Sequence, residues 1–479
     1  MPSNWRLAAL LLALALPALP ASAVTITVTT ADDQDLADGF CSLREAILAA
    51  NTDTARNECP AGAGEDRIGF ALTLPAVLQL GQDLPPVTGS LAVRGPSAAD
   101  LWIDGMDLFR LFVFDTPAGG GILVLEDLRL TRGRAPGGTL DDGGALAVMP
   151  GERAFVERAV FQSNTSLNGG GALLVTGSAN DATRVEVRDS TFAGNRALGV
   201  AGGGAIRVQF AELYLASSAL TSNTAEDALG SGGALYAERA TLEIERSTVA
   251  GNSADWQGGG LAVRSYSGTS TLRMVDSTIT GNHADADLDD DGGGGGLNAY
   301  AAVGLTVELR LVNNIIAENE DTPTPSAPDL FVDPGSSTLV TTGWNLIGNN
   351  LGSTALFPAG NPDAQGDFVG TAASPLDPRL EVLGNNGGPT ATRRPILEAA
   401  SPVIDHGHCP DAATDQRGWG DAGHAGRIYD HPTVDPNGAT SDGCDIGAVE
   451  RGASANAASA LFASDFELVT LLLWSAAQN

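Results

Sequence analysis

The chain has 479 residues, with 26 basic and 58 acidic side chains, a formal net charge of −32 and 5% aromatic residues. So large a negative charge argues against nucleic acid and bare anionic membrane as partners, and every basic residue is arginine, since no lysine occurs. After residue 23 no apolar stretch is long enough to cross a bilayer as a helix, so no transmembrane helix is expected.

In chain order, Arg6, the apolar run Leu7 to Leu16 and the small-residue site Ala21-Ser22-Ala23 have the form of a secretory signal peptide. Residues 1–23 are therefore expected to be removed and the chain exported. Val24 to Thr30 alternates as a strand. Cys41-Ser42-Leu43-Arg44-Glu45-Ala46, continuing to Asn51, predicts a short helix with Ser42 as N-cap and Glu45 completing a capping box. Leu43, Ile47 and Ala50 share one face of that helix, which suits it to plug the end of a fold. Residues 24–72 resemble the CSLREA domain at Cys41 to Ala46, Ala49 to Thr52, Cys59 and Gly64-Glu65-Asp66-Arg67-Ile68. That resemblance implies an N-terminal module of secreted β-helical bacterial proteins.

From Gly143 to Asn319 a unit of about 29 residues recurs, with a glycine run, a strand-like stretch and an apolar-x-x-Asn closure. The closing residues are Asn164, Asn195, Asn223, Asn252, Asn282 and Asn319, spaced 31, 28, 29, 30 and 37 apart. A fixed period of this size marks a solenoid. Val185 to Arg188, Thr241 to Glu245 and Thr271 to Val275 alternate with period two, so the units are strands rather than helices. Glycine and asparagine tolerate the left-handed angles of tight corners, and asparagines at one corner can hydrogen-bond along the stack. The expected fold is all-β: a single-stranded right-handed parallel β-helix with a short N-terminal capping helix. Three strands and three turns per coil fit the unit length, and residues 73–320 carry the coils. The units resemble the repeats of polymorphic outer-membrane proteins, although Phe161 and Phe192 alone keep the aromatic of the closure.

Beyond the repeats, Asn313-Asn314-Ile315-Ile316, Trp344 to Gly348, Asn385 to Thr390, Ser401 to Asp405, Asp415 to Gly418 and Cys444 to Glu450 occur in turn. In that order they resemble the choice-of-anchor Q domain, which implies that residues 321–450 form C-terminal coils and a cap. Residues 451–479 are expected to be a tail, with a sorting role as one possibility. Four cysteines form two sequence-local pairs, Cys41 with Cys59 and Cys409 with Cys444. In an exported chain they are expected to be disulfides that staple the two ends of the rod.

No catalytic residue is assigned. Asp141-Asp142 and Asn51-Thr52-Asp53 superficially resemble pectin-hydrolase motifs, but no Gly-His-Gly follows in the array and no Arg-x-Lys can occur without lysine. Asp285, Asp287, Asp289 and Asp291 have the alternation of a calcium loop, yet Asn298 stands at the twelfth position where a bidentate glutamate belongs. They are a weak calcium candidate, and no other cofactor is expected. His406, His408, His424 and His431 cluster among Asp405, Asp411, Asp421 and Asp430 without a recognised zinc spacing. The leading expectation is a non-catalytic secreted or cell-surface scaffold of adhesin type, with an extracellular polysaccharide or cell-surface ligand as partner. The alternative is a carbohydrate-active enzyme, a polysaccharide lyase or glycoside hydrolase, with its cleft along one sheet.

Overall fold

The computed structural model describes residues 24–135, 141–178, 182–290, 292–323, 325–333, 337–398, 400–409, 414–420 and 443–455. Short parallel strands stack in four long sheets, so the chain is a parallel β-helix solenoid. One coil shows the plan. Ile206–Gln209 belongs to sheet I, Glu212–Ala216 to sheet II, Ala219–Thr221 to sheet III and Thr224–Ala225 to sheet IV. Sheets II and III each hold eleven strands, sheet I eight and sheet IV six. The sequence suggested three strands per coil. The fourth is a two-residue strand between the closing asparagine and the next glycine run, too short for any periodicity to announce.

Pairing is in register from coil to coil, so like residues stack on like. Val185, Leu213, Leu242, Leu272 and Leu309 form one buried column inside sheet II. Inside sheet III, Phe161 and Phe192 stack with ring centroids 4.5 Å apart, and Leu220, Val249, Ile279 and Ile316 continue the same column. Replacing the closure's aromatic by an aliphatic residue keeps the column filled. The glycine run answers two steric demands. Gly203 has φ 70°, and a Cβ on Gly204 would stand 2.1 Å from the carbonyl oxygen of Gly233 in the coil above.

Every closing asparagine is buried. From Asn164 through Asn195, Asn223, Asn252 and Asn282 to Asn319, each Nδ2 donates to the next Oδ1 at 2.8–3.0 Å. The same Oδ1 also accepts the preceding asparagine's backbone N–H, as Asn223 does from Asn195 at 2.9 Å. Nδ2 donates besides to a carbonyl of the preceding coil, such as Phe192 O for Asn223 at 3.0 Å. One side chain thus satisfies groups on both neighbouring coils. A second ladder, which the sequence reading missed, runs along the corner between sheets II and III. The Oγ atoms of Ser190, Ser218, Ser247 and Ser277 accept backbone N–H groups of the preceding coil at 3.1–3.2 Å, and Asn314 and Asn345 continue the line. Its signal was available: each serine lies five residues before a closing asparagine.

Both ladders end on a buried carboxylate. Asp329 Oδ1 accepts from Asn319 Nδ2 at 2.9 Å, and Asp367 Oδ1 accepts from Asn345 Nδ2 at 3.0 Å. Burial pushes each of these acids up to about 6, against the pull of the asparagine donors.

The N-terminal end is closed by the helix Leu43–Thr52, capped by Ser42 and Glu45 as the capping box requires. Arg44 is buried and donates to both Asp33 oxygens, at 2.9 and 2.7 Å, and to the carbonyls of Gln82 and Asp83. Glu45 accepts from Leu36 N at 2.9 Å as well as from Ser42 N at 2.9 Å. The Cys41–Cys59 disulfide ties this helix to the segment after it.

The C-terminal region departs from the expected arrangement. Coils end at Phe368–Val369, and the chain then folds back along the outer face of sheet III. Thr390 Oγ1 donates to Ser217 O at 3.1 Å, Gln416 Nε2 to Ser218 O at 3.1 Å, and Ala448 N to Thr278 Oγ1 at 3.1 Å. The covered face is small or flat: Ala219, Thr248, Ala250, Thr278, Thr280 and Ala317 are all buried. Consequently the second disulfide, Cys409–Cys444, does not staple the end of the rod. It lies on the flank, where Asn313 Nδ2 reaches Cys409 Sγ at 3.1 Å and Asp276 Oδ1 at 2.7 Å. The end itself is closed by the turn bearing Phe357, which is fully buried in the main core.

Replacing Asn223 by alanine should cost on the order of 1–3 kcal/mol, because it orphans buried groups on Asn195 and Phe192. Denaturant titration against Asn385→Ala, an exposed loop asparagine whose change should stay within about 0.5 kcal/mol, checks this. Equal losses at both sites would deny the ladder its role.

Asp367 binds its proton more readily folded than unfolded, because burial has raised its pKa from 3.8 to about 6. Its contribution to stability is complete below pH 4 and is lost as pH rises through about 6. In Asp367→Asn, whose Oδ1 can still accept from Asn345, that component of the pH dependence should vanish. Melting curves of both proteins from pH 4 to 7 measure the difference.

Candidate functional site

The motifs that distinguish this sequence are taken up in holding it together. Asn51 is fixed between Pro86 O, at 2.7 Å, and Thr88 N, at 2.9 Å. Asp53 ends the helix in a left-handed conformation and accepts from Gly64 N at 2.9 Å. Asp142 accepts from Gly169 N at 2.6 Å and pairs with Arg207 at 2.9 Å. Asp141 is half-buried beside it. None of these acids forms an open carboxylate pair across a cleft, as glycoside hydrolysis requires.

In the C-terminal strap the motif side chains interlock. Arg417 and Asp415 form a buried ion pair at 2.6 Å, with Arg417 also 4.1 Å over the Trp419 ring and donating to Glu450 O. Glu450 accepts from Asp445 N, and Asp445 from Asp405 N at 2.9 Å. His406 is bonded to Ile404 O at 2.6 Å and packs edge-on against Phe368, while the His408 ring lies 4.3 Å from that of Trp344. The structure gives His406 and His408 aromatic neighbours. His424, His431, Asp411, Asp421 and Asp430 lie outside the described residues.

Asp285, Asp287 and Asp289 can each bring a carboxylate oxygen within 4.8 Å of the others, the one such trio of acids, cysteines or histidines among the described residues. Asp291 lies outside them. Asp285 is buried and already accepts from Asp289 N at 3.0 Å and Asp290 N at 3.1 Å, so it caps its own turn. Burial raises its pKa, and Asp289 and Asp287 add to the rise. Asp287 and Asp289 are exposed.

Outside the strap-covered sheet III, two faces carry the densest polar constellations among the described residues. On sheet II, arginines and acids alternate across coils. Arg184 pairs with Glu186 and Glu212 at 3.0 and 3.6 Å, Arg273 with Glu243 at 2.6 Å and with Glu245, and Arg158 with Glu126, Asp127 and Glu157. Tyr214 lies under Arg188 at 4.5 Å and donates to Glu245 at 3.1 Å. At the adjoining corner Asp189, with φ 50°, is pushed up to about 6 by burial and Glu157, against Arg158, Arg188 and Arg246. On sheet I a second constellation, unforeseen from sequence, surrounds Arg264, the largest wholly buried side chain among the described residues. Its Nη1 donates to Asn298 O and Oδ1 at 3.2 and 2.6 Å, and its Nη2 to Gln257 Oε1 at 2.9 Å. Tyr236, Tyr266 and Tyr300 interact with the same guanidinium, and burial pushes the Tyr236 phenol up to about 12. No periodicity singles out Arg264, because its strand is buried on both faces.

No helix among the described residues is long and apolar enough to cross a membrane. No family model matches the chain, and no curated protein matches it significantly.

The Asp285 turn should bind calcium no more tightly than about 10⁻⁴–10⁻³ M, since two of its acids face water and the third is committed to the backbone. Calorimetric titration of the wild type and of Asp287→Asn/Asp289→Asn decides. A micromolar site abolished by the double change would contradict the expectation.

Proposed function

We propose that this chain is an exported, non-catalytic scaffold of adhesin type: a rigid acidic rod that presents long faces to a polysaccharide or cell-surface ligand outside the cell. The observation that carries the reading is the fate of the distinctive residues. Cys41, Ser42, Arg44 and Glu45 build the N-terminal plug, and Asp415, Gln416, Arg417, Asp445 and Glu450 clamp the strap. This use fits the CSLREA-like and choice-of-anchor Q-like identities proposed for the two ends. Two disulfides suit an oxidising, extracellular setting. Charges on sheet II are spread over many coils in ion pairs, as on a solvated face, rather than gathered in one cleft.

The competing reading, a carbohydrate-active enzyme, has one observation in its favour. Asp189 is a carboxyl pushed up to about 6 among three arginines, as a proton donor would be. Incubation of the full chain with pectic, β-glucan and host-type polysaccharides separates the two. The scaffold reading expects binding with no new reducing or unsaturated ends. Turnover that disappears in Asp189→Asn would establish the enzyme instead.

A further inference from the structure

Two successive coils turn from sheet I into sheet II through two residues each, 210–211 and 239–240. In the next two coils this corner opens. Four residues, 266–269, separate Leu261–Ser265 from Ser270–Val275, and five, 302–306, separate Leu297–Ala301 from Val307–Val312. Tyr266 begins the first of these loops and Tyr300 faces outward in the strand before the second; they are 44% and 36% exposed, with ring centroids 5.9 Å apart and planes inclined by 52°. Solvent-facing corner loops on a rigid solenoid are where binding residues concentrate.

Arg264 is wholly buried beside them: it pairs with Tyr300 across the sheet, lies two residues before Tyr266, and has Tyr236 diagonally opposite on the neighbouring strand. Three of the chain's five tyrosines are thereby gathered around one cation. Its hydrogen bonds to Asn298 and Gln257 hold it in place. The two rings also pack against each other beside this fixed side chain, so the exposed pair is pre-organised. At the rim Ser267 Oγ donates to Glu238 at 3.4 Å, and Arg239 lies 5.2 Å over the Phe210 ring.

Two inclined, half-exposed rings bordered by one carboxylate, one hydroxyl and one guanidinium match a sugar polymer. The C–H faces of pyranose rings pack on aromatic faces, while their hydroxyls meet Glu238, Ser267 and Arg239. The net charge of −32 repels anionic polymers, nucleic acids included. From this geometry we infer that the outer face of sheet I at Tyr266 and Tyr300 is a binding platform for a neutral polysaccharide. The inference rests on the exported-scaffold reading and supplies its ligand class.

Affinity electrophoresis of the full chain tests it, in native gels containing a soluble neutral glucan, galactan, mannan or xylan, with polygalacturonate as the anionic comparison. At least one neutral polymer should retard the protein. Tyr266→Ala/Tyr300→Ala should weaken that retardation about tenfold, and Tyr266→Phe/Tyr300→Phe, which keeps the rings, should weaken it less. Far-UV spectra confirm folding. If the double alanine variant loses its spectrum, Tyr266→Ser, in the corner loop and the more exposed of the two, is read in its place. Retardation by none of the neutral polymers, retardation by polygalacturonate alone, or alanine variants that bind like the wild type would overturn the platform. Attachment of the chain to cells that survives the double alanine change would remove this ligand and leave the scaffold reading standing.

Discussion

A buried primary amide has two donors and an acceptor to satisfy, and in this solenoid it satisfies them chiefly by reaching the coils above and below. That constraint organises the fold. Leaving even one such group unpaired costs about 1–3 kcal/mol, so a coil that slips by one residue loses its own asparagine's bonds and those of both neighbours. The ladder from Asn164 to Asn319 therefore acts as a register key for the whole array. Hydrophobic columns alone would not be as selective, since leucine, valine, isoleucine and phenylalanine already exchange places within the sheet III column. The serine ladder repeats the device at a second corner with a weaker acceptor, and its hydroxyl returns its proton to the carbonyl two residues back, as Ser218 does to Ala216 at 2.8 Å.

A ladder of this kind has to stop somewhere, and the last rung is a problem of chemistry rather than of packing. An asparagine at the end would present an amide with no coil above it. Aspartate solves this, because a carboxylate accepts without needing to donate. Asp329 and Asp367 end the two ladders in this way, and Asp329 uses its second oxygen for Asn349 N at 2.7 Å. The solution is electrostatically costly, which is the reason both acids hold their protons well above the usual carboxylate range.

What the outside of the rod can do depends on which face is left free. Sheet III spends its outer surface on the chain's own C-terminal strap, with a small second core of Ile315, Phe368, Val403 and Ile446 between them. Sheet II is filled with cross-coil ion pairs, each worth little individually at a wet surface but together giving a stiff, hydrophilic wall. Sheet I differs because two of its outward positions, Tyr236 and Tyr300, carry aromatic residues around the buried Arg264, and Tyr266 follows in the adjoining corner loop. A solenoid makes such local variation inexpensive: a loop can grow on one coil without disturbing the stacking of the rest.

The sequence by itself determined the solenoid, the N-terminal plug and the asparagine corner, because each is written in local signals. These are a fixed period, a capping box at Ser42 and Glu45, and one asparagine per unit facing the same constraint in every coil. The cysteine partners were equally legible from their sequence proximity. Tertiary structure alone decided where the second disulfide sits, since the fold-back of the described residues after Leu376 depends on a flat alanine and threonine face that becomes a surface only when four coils are stacked. It also decided that Asp329 and Asp367 are ladder ends, for nothing local distinguishes them from the chain's many solvent-facing acids. The gathering of Tyr236, Tyr266 and Tyr300 around Arg264 lay equally beyond reach. Those residues are brought together by coil stacking, at a site where both faces of a strand are buried and the alternation that reveals orientation is erased.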